Sequence, residues 1–161
     1  MTKIIGITGW KDVGKTYYAT LIIKSLVKKG YQVGSIKHAH HDFDIDKPGT
    51  DSFKHREAGS SQVVISSAKR WAKITENNNE NEKSLDELIQ EFNNVEIIVV
   101  EGFKKENHPK IEILGKGLKN KNKEANNVIA FVSDELKDTS TPVFKKNDTK
   151  NLVDFIIKKI L

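Results

Sequence analysis

The chain opens with a short apolar run followed by a longer amphipathic segment. Residues 3–8 are rich in β-branched side chains, which predicts a first strand. Over residues 15–29, apolar side chains recur at helical spacing and lysines fill the other face, which predicts an amphipathic helix. Gly30 stands where a left-handed C-terminal cap is expected, and a second strand is predicted over residues 31–37. This order is typical of a right-handed βαβ unit with parallel strands.

Apolar runs farther along the chain predict the remaining elements. Residues 95–100 are apolar except for Glu96, the pattern of a strand buried on both faces. Ser84, with Glu87 three residues later, predicts a helix start with a capping box. The other predictions are strands over 62–67, 71–75, 111–114, 128–132 and 143–144, with the first two as a hairpin, a short helix capped by Asp51 and ended by Gly59, and a last helix from Asp148 or Thr149.

Three polar stretches separate these elements, at residues 38–51, 76–83 and 115–126. We expect them to be surface loops, because their backbone polar groups need water. No repeat marks a second domain, so we predict one domain over residues 1–161.

Composition narrows the function classes. The chain has no cysteine, which excludes disulfides and thiolate metal sites. No apolar run reaches the ~20 residues of a membrane helix, and the first strand leaves no room for an export signal, so we expect a cytoplasmic protein without a membrane partner. The net charge is only +5, and the basic run at 116–123 lacks interleaved aromatic residues. We therefore expect no nucleic-acid partner.

A glycine-rich loop follows the first strand and matches the phosphate-binding pattern Gly-x-x-x-x-Gly-Lys-Thr. Its residues are Gly9, Trp10, Lys11, Asp12, Val13, Gly14, Lys15 and Thr16, with Tyr17 next. Backbone N–H groups of residues 12–15 would line an anion site, Lys15 would neutralise the β- and γ-phosphates, and Thr16 would ligate Mg²⁺. Gly9 and Gly14 would allow close backbone approach.

An acidic residue that serves the Mg²⁺ site is expected at the end of a neighbouring strand. Glu101 ends the apolar run at 95–100, and a parallel strand would place it at the carboxyl edge where ligands bind. We assign it to the Mg²⁺ site, and Lys15 and Glu101 are the candidate catalytic residues. The fold class that follows is α/β, a three-layer P-loop NTPase-like fold with a mostly parallel central sheet flanked by helices.

Two further stretches are similar to a known family. The first is Ile36-Lys37-His38-Ala39-His40-His41-Asp42-Phe43-Asp44-Ile45-Asp46-Lys47-Pro48-Gly49-Thr50-Asp51-Ser52, continued by Arg56-Glu57-Ala58-Gly59. The second is Glu101-Gly102-Phe103-Lys104 followed by His108-Pro109-Lys110-Ile111. With the phosphate loop, these stretches resemble the molybdopterin-guanine dinucleotide biosynthesis protein B (MobB) family.

The resemblance implies a homodimeric GTP-binding adaptor in molybdenum cofactor biosynthesis, with Mg²⁺ and at most weak GTPase activity. It also implies a partner, the MobA-type guanylyltransferase that attaches GMP to molybdopterin, with molybdopterin as a further candidate ligand. Carried over by position, the nucleotide and metal residues are Gly9, Gly14, Lys15, Thr16 and Glu101, and the residues lining a neighbouring cleft are Lys37, His38, Asp46, Asp51 and Arg56. The chain departs from the family pattern at Val13, where a small residue is usual, and at Tyr17, where threonine is frequent.

The residues themselves leave other functions open. The cluster from His38 to His41 with the following aspartates is compatible with a metal site, hence a GTP-dependent metallochaperone. A small-molecule kinase would instead hold its acceptor in loop 38–51. Arg56 would serve either as a bidentate anion clamp or in an ion pair with Glu57 or a nearby aspartate.

The choice of base is not encoded in a recognisable motif. Lys146-Asn147-Asp148 lacks the spacing of the Asn-Lys-x-Asp guanine signature. GTP over ATP therefore rests on the resemblance.

Overall fold

The computed structural model describes residues 2–39, 42–77, 82–117, 125–137 and 139–161. Its residues form two compact units, one of Met1–His38 with Leu85–Leu161 and one of Ala39–Ser84. The single domain stays a prediction. None of the described helices is long and apolar enough to cross a bilayer.

The elements follow the predicted order closely. They are β1 (Lys3–Gly9), α1 (Lys15–Lys28), β2 (Val33–Lys37), α2 (Asp51–Glu57), β3 (Gln62–Ser66), β4 (Trp71–Thr75), α3 (Leu85–Gln90), β5 (Ile97–Glu101), β6 (Lys110–Ile113), β7 (Val128–Val132), β8 (Val143–Phe144) and α4 (Thr149–Ile160).

The first unit contains a six-stranded sheet within the described residues, in the order β2-β5-β1-β6-β7-β8. Every neighbouring pair is parallel. The strands β1 and β2 are thus parallel, as predicted, but β5 lies between them. The α/β fold with a central parallel sheet is confirmed.

Both faces of this sheet are covered. On one face, α1 and α4 pack against isoleucine and valine side chains of β1, β5, β6 and β7, including the fully buried Ile5, Ile97 and Ile111. On the other face, Leu85 of α3 packs with Ile98 and a few neighbours of β2 and β5. Each such side chain contributes roughly 1.5–3 kcal/mol when fully buried, so the main core stabilises the first unit.

The second unit consists of α2 and the antiparallel pair β3–β4, which confirms the predicted hairpin. The N-cap of α2 is Thr50, whose side chain accepts a hydrogen bond from the Phe53 N–H at 3.4 Å. The prediction that Asp51 caps this helix was wrong. Asp51 is its first helical residue, and its carboxylate pairs with Lys54 at 3.1 Å.

Parts of the predicted loops fall outside the described residues. These parts are residues 78–81 of the stretch 76–83, residues 118–124 of the stretch 115–126, and His40 and His41 of the stretch 38–51.

Candidate functional site

The glycine-rich loop connects β1 to α1 through several residues with positive φ. Gly9, Asp12 and Gly14 have φ angles of 146°, 62° and 98°. Left-handed residues in such a turn point successive backbone N–H groups to one side and form an anion-binding nest. A Cβ on Gly9 would lie 2.5 Å from the Ile113 carbonyl oxygen of β6, so only glycine fits there.

Two of the candidate side chains lie on the first turn of α1. The Lys15 ammonium donates a hydrogen bond to the Trp10 carbonyl at 2.7 Å and so lies over its own loop. The Thr16 hydroxyl donates to Oε1 of Glu101 at 2.7 Å. Thr16 and Glu101, which are 85 residues apart in the chain, therefore meet at the N-terminus of α1.

Glu101 is held at the carboxyl end of the central strand β5. It is in register with Ile7 of β1 on one side and with Lys37 of β2 on the other. Its backbone carbonyl accepts from the His38 N–H at 2.9 Å, and its Oε1 lies 3.8 Å from the Lys37 ammonium. Only 12% of the Glu101 side chain is exposed. The structure thus places Thr16, Lys37 and His38 in contact with Glu101, and Lys15 next to Thr16 on the first turn of α1.

The segment after Glu101 contains an aromatic contact that sequence reasoning missed. The Phe103 ring stacks on the His38 ring with 4.5 Å between centroids. Phe103 has a φ of 46°, which is unusual for a bulky residue and concentrates at functional sites. A Cβ on Gly102 would lie 2.6 Å from the His38 Cβ. The pair Gly102-Phe103 in the quoted motif was the available signal.

The two residues that depart from the family pattern, Val13 and Tyr17, both have room in the structure. Val13 is half-buried and packs against the main core, so its larger side chain has a place. Trp10 and Tyr17 are 51% and 60% exposed. Lys11 is also exposed. The Thr16 hydroxyl keeps its contact with Glu101 beside these residues.

The other candidate residues lie in the second unit. Arg56 donates two hydrogen bonds to Asp44, at 2.7 and 3.3 Å, and its Nε lies 3.0 Å from Oε1 of Glu76. These contacts lower the pKa of the Asp44 carboxyl, chiefly through the hydrogen bond from Arg56. The predicted ion pair of Arg56 with a nearby aspartate is confirmed, and its use as an anion clamp stays a prediction.

Asp46 completes this polar network. Its Oδ1 accepts hydrogen bonds from the Ser52 hydroxyl at 2.8 Å and the Thr50 hydroxyl at 3.2 Å, while Oδ2 lies 3.9 Å from Arg56. We refer to Asp44, Asp46, Arg56 and Glu76 as the Arg56 network. Asp51 is paired with Lys54 instead. Among the described residues, which omit His40 and His41, no cluster of histidines and carboxylates is suited to hold a metal ion.

A buried histidine lies just before β6 and a buried lysine is the first residue of β6, and sequence reasoning missed the burial of both. Lys110 is fully buried, and its ammonium donates to the backbone carbonyls of Glu106, His108 and Asn126. His108 packs over Gly6 of β1, and burial together with the Lys110 charge lowers its pKa to about 4. Burial lowers the pKa of Lys110 to about 8, so the ammonium stays mostly protonated at pH 7. These hydrogen bonds hold the segment between Glu101 and β6 against the sheet.

Several known proteins are similar to this chain in sequence and in fold. A family model described as molybdopterin guanine dinucleotide synthesis protein B matches residues 4–134. The chain is 35% identical to the molybdopterin-guanine dinucleotide biosynthesis adapter protein of Escherichia coli (strain K12), over 98% of this chain and 93% of that protein. It is 43% identical to the protein of the same name from Haemophilus influenzae, over 67% of this chain and 61% of that protein.

Solved structures agree with these matches. A crystal structure of molybdopterin-guanine biosynthesis protein B superposes with a TM-score of 0.79 at 25% identity, covering 96% of this chain and 97% of that one. The structure of Bacillus subtilis MobB superposes with a TM-score of 0.78 at 21% identity, covering 98% and 97%. The family match over most of the chain, together with the Escherichia coli relative, shows that this chain belongs to the MobB family.

Proposed function

We propose that this protein is a GTP-binding adaptor in the synthesis of molybdopterin guanine dinucleotide. It would assist the guanylyltransferase that attaches GMP to molybdopterin, in the cytoplasm where its nucleotide is available. The observation that carries the proposal is the contact between Thr16 and Glu101 beside the phosphate loop, in a chain whose relatives are named as adapters of this synthesis.

The residues present fit a magnesium nucleotide. The Thr16 hydroxyl and the Glu101 carboxylate supply oxygen atoms of the kind that Mg²⁺ prefers, directly or through its water shell. The Lys15 ammonium donates to a neutral carbonyl and would form a stronger, charge-assisted bond with a phosphate. Bound Mg²⁺ would offset the negative charge of the phosphates. Lys15 and Glu101 are the residues that would support weak hydrolysis.

The second unit offers a surface for a homodimer. Trp71 of β4 and Val64 of β3 are 70% and 63% exposed and are diagonal neighbours on one face of the hairpin. In the described part of the chain, β3 and β4 pair only with each other. An isolated two-stranded hairpin is marginally stable in water, so a second copy of the hairpin would stabilise it and cover Trp71.

Calorimetric titration with GTP and with ATP, each with Mg²⁺, tests the nucleotide proposal. We expect Lys15→Ala to weaken GTP binding roughly tenfold to a hundredfold, because a charge-assisted contact is worth about 1.5–3 kcal/mol. Lys24→Ala is the matched control, since Lys24 is exposed on the same helix. Unchanged GTP binding by Lys15→Ala would contradict the proposal.

Two further measurements separate the alternative functions. Phosphoryl transfer from ATP to an added pterin, without preference for GTP, would indicate a kinase. Stoichiometric nickel or zinc binding that is lost in His40→Ala and His41→Ala would indicate a metallochaperone.

A further inference from the structure

The sheet order determines the side of the phosphate loop on which a nucleoside extends. Glu101 lies on β5 and contacts Thr16, so the metal and the terminal phosphate belong on the β5 side of β1. The strands β6, β7 and β8 lie on the opposite side of β1. If the proposed nucleotide is bound, its ribose and base therefore run toward the carboxyl ends of β6, β7 and β8. Neighbouring strands are about 4.8 Å apart, so the end of β7 lies about 10 Å from β1, within reach of a base.

The segments after β7 and β8 meet at this edge of the sheet. Oδ1 of Asp134, two residues after β7, accepts a hydrogen bond from the Lys146 N–H at 3.0 Å. The Lys146 carbonyl in turn accepts from the Tyr18 hydroxyl at 3.0 Å. Tyr18 is buried on α1, one turn after the phosphate loop. A chain of contacts thus connects the phosphate loop to Asp134 through α1 and the segment after β8.

Asp134 is fixed in place and yet open to solvent. The Ser133 hydroxyl accepts from the N–H groups of Glu135 at 3.1 Å and Leu136 at 3.0 Å, which defines the turn that carries Asp134. The residue itself is exposed. Its charge is close enough to α1 to contribute to the raised pKa of Tyr18, after the larger effect of burial.

A carboxylate in this position distinguishes the purines by hydrogen bonding. Guanine presents two adjacent donors, N1–H and the 2-amino group, which match the two oxygens of a carboxylate. Adenine presents an acceptor at N1, which a carboxylate repels. We infer that Asp134 is the residue that selects guanine, at the sheet edge formed by the segments after β7 and β8. This inference rests on the proposed nucleotide function. Asp134 would replace the guanine-recognition motif that the sequence lacks.

The test is to titrate Asp134→Asn with GTP, ATP and xanthosine triphosphate, each with Mg²⁺. Xanthine carries a carbonyl where guanine carries the 2-amino group, so an amide at position 134 matches it by donating one hydrogen bond and accepting another. We expect GTP affinity to fall at least about tenfold, xanthosine triphosphate affinity to rise above that of the unsubstituted protein, and ATP affinity to stay the same. The gain for xanthosine triphosphate cannot come from misfolding.

Glu135→Gln is the control for loss of a negative charge at the same turn, and it should keep the preference for GTP. If Asp134→Asn keeps that preference and gains nothing for xanthosine triphosphate, the inference is overturned while the proposed function stands. If the unsubstituted protein binds GTP and ATP equally, selection by Asp134 is also overturned. GTP binding by Lys15→Ala tests the phosphate loop independently of Asp134.

Discussion

The two compact units of the chain are stabilised in opposite ways. In the first unit, isoleucine, valine and leucine side chains from the parallel strands and two helices form a continuous buried core. In the described part of the second unit, Val63 is the one buried hydrophobic residue, and the Arg56 network joins the segment before α2 to the end of β4. Three large apolar side chains of that unit, Phe43, Ile45 and Trp71, are more than two-thirds exposed.

The difference indicates that the first unit provides the stable core and that the second unit provides a surface for recognition. The first unit has the apolar core needed to fix the phosphate loop and Glu101 at atomic precision. The second unit leaves its apolar surface in water, as is typical of surfaces that another protein covers. We expect four substitutions to distinguish the two units.

The largest expected effect is on the core of the first unit. Ile97 is fully buried in β5, and Ile97→Ala should lower the free energy of unfolding by about 2–5 kcal/mol, through lost burial and the cavity left behind. Val64→Ala in the second unit removes an exposed side chain and should change it by less than about 0.5 kcal/mol. Urea denaturation measures both, and equal losses would contradict the contrast between the units.

The next effect is on the pH dependence of stability. The pKa of His108 is lowered from 6.5 to about 4, so between these values the unfolded chain binds more protons than the folded chain. The stabilisation is therefore complete above pH 6.5 and is lost as the pH falls toward 4, by an amount on the order of 3 kcal/mol.

Unfolding curves at pH 7 and pH 4 measure this loss. His108→Leu removes the titrating group and should flatten the pH dependence. His55→Gln removes an exposed histidine of the second unit and should leave it unchanged. An equally steep dependence in His108→Leu would assign the acid sensitivity to other groups.

A smaller and more local effect is expected at the Arg56 network. Arg56→Ala removes the partner of Asp44 and Glu76, so backbone amides of residues 42–76 should exchange faster with solvent. The main unfolding transition should stay where it is, because the core of the first unit is untouched. Hydrogen exchange followed by mass spectrometry checks this, with exposed Arg70→Ala as the control. Faster exchange spread over both units would show that they unfold together.

The smallest effect on stability is expected at the hairpin surface. Trp71→Ser replaces a side chain that is 70% exposed, so the folded protomer should persist while the proposed homodimer weakens. Light scattering after size-exclusion chromatography, over a range of protein concentrations, measures the change. A dimer of undiminished affinity would place the homodimer contact elsewhere.

The sequence predicts best where the determinants are local. The order of strands and helices, the phosphate loop and the position of Glu101 at a strand end were all predictable, because periodicity and short motifs encode them. The contact between Thr16 and Glu101 followed from the rule that parallel strands end at one edge of the sheet.

What could not be predicted depends on partners that are distant in the chain. Lys110 looks like a surface lysine in sequence, and its burial is possible only because three backbone carbonyls from two segments surround its ammonium. Arg56 had several possible acidic partners, and identifying them required the positions of Asp44 and Glu76. Asp51 is a good capping residue by type, but Thr50 has the extended backbone that lets its hydroxyl reach the Phe53 N–H.

The position of β5 between β1 and β2 also has a consequence for biosynthesis. On a ribosome, β1 and β2 emerge first, but neither is the other's neighbour in the sheet, and both pair with a strand that ends only at Glu101. Contacts of this sequence separation form slowly, because a long loop must close first. The nascent chain therefore has to carry two unpaired apolar strands until β5 is made, and the phosphate site is complete only once β5 has paired with β1.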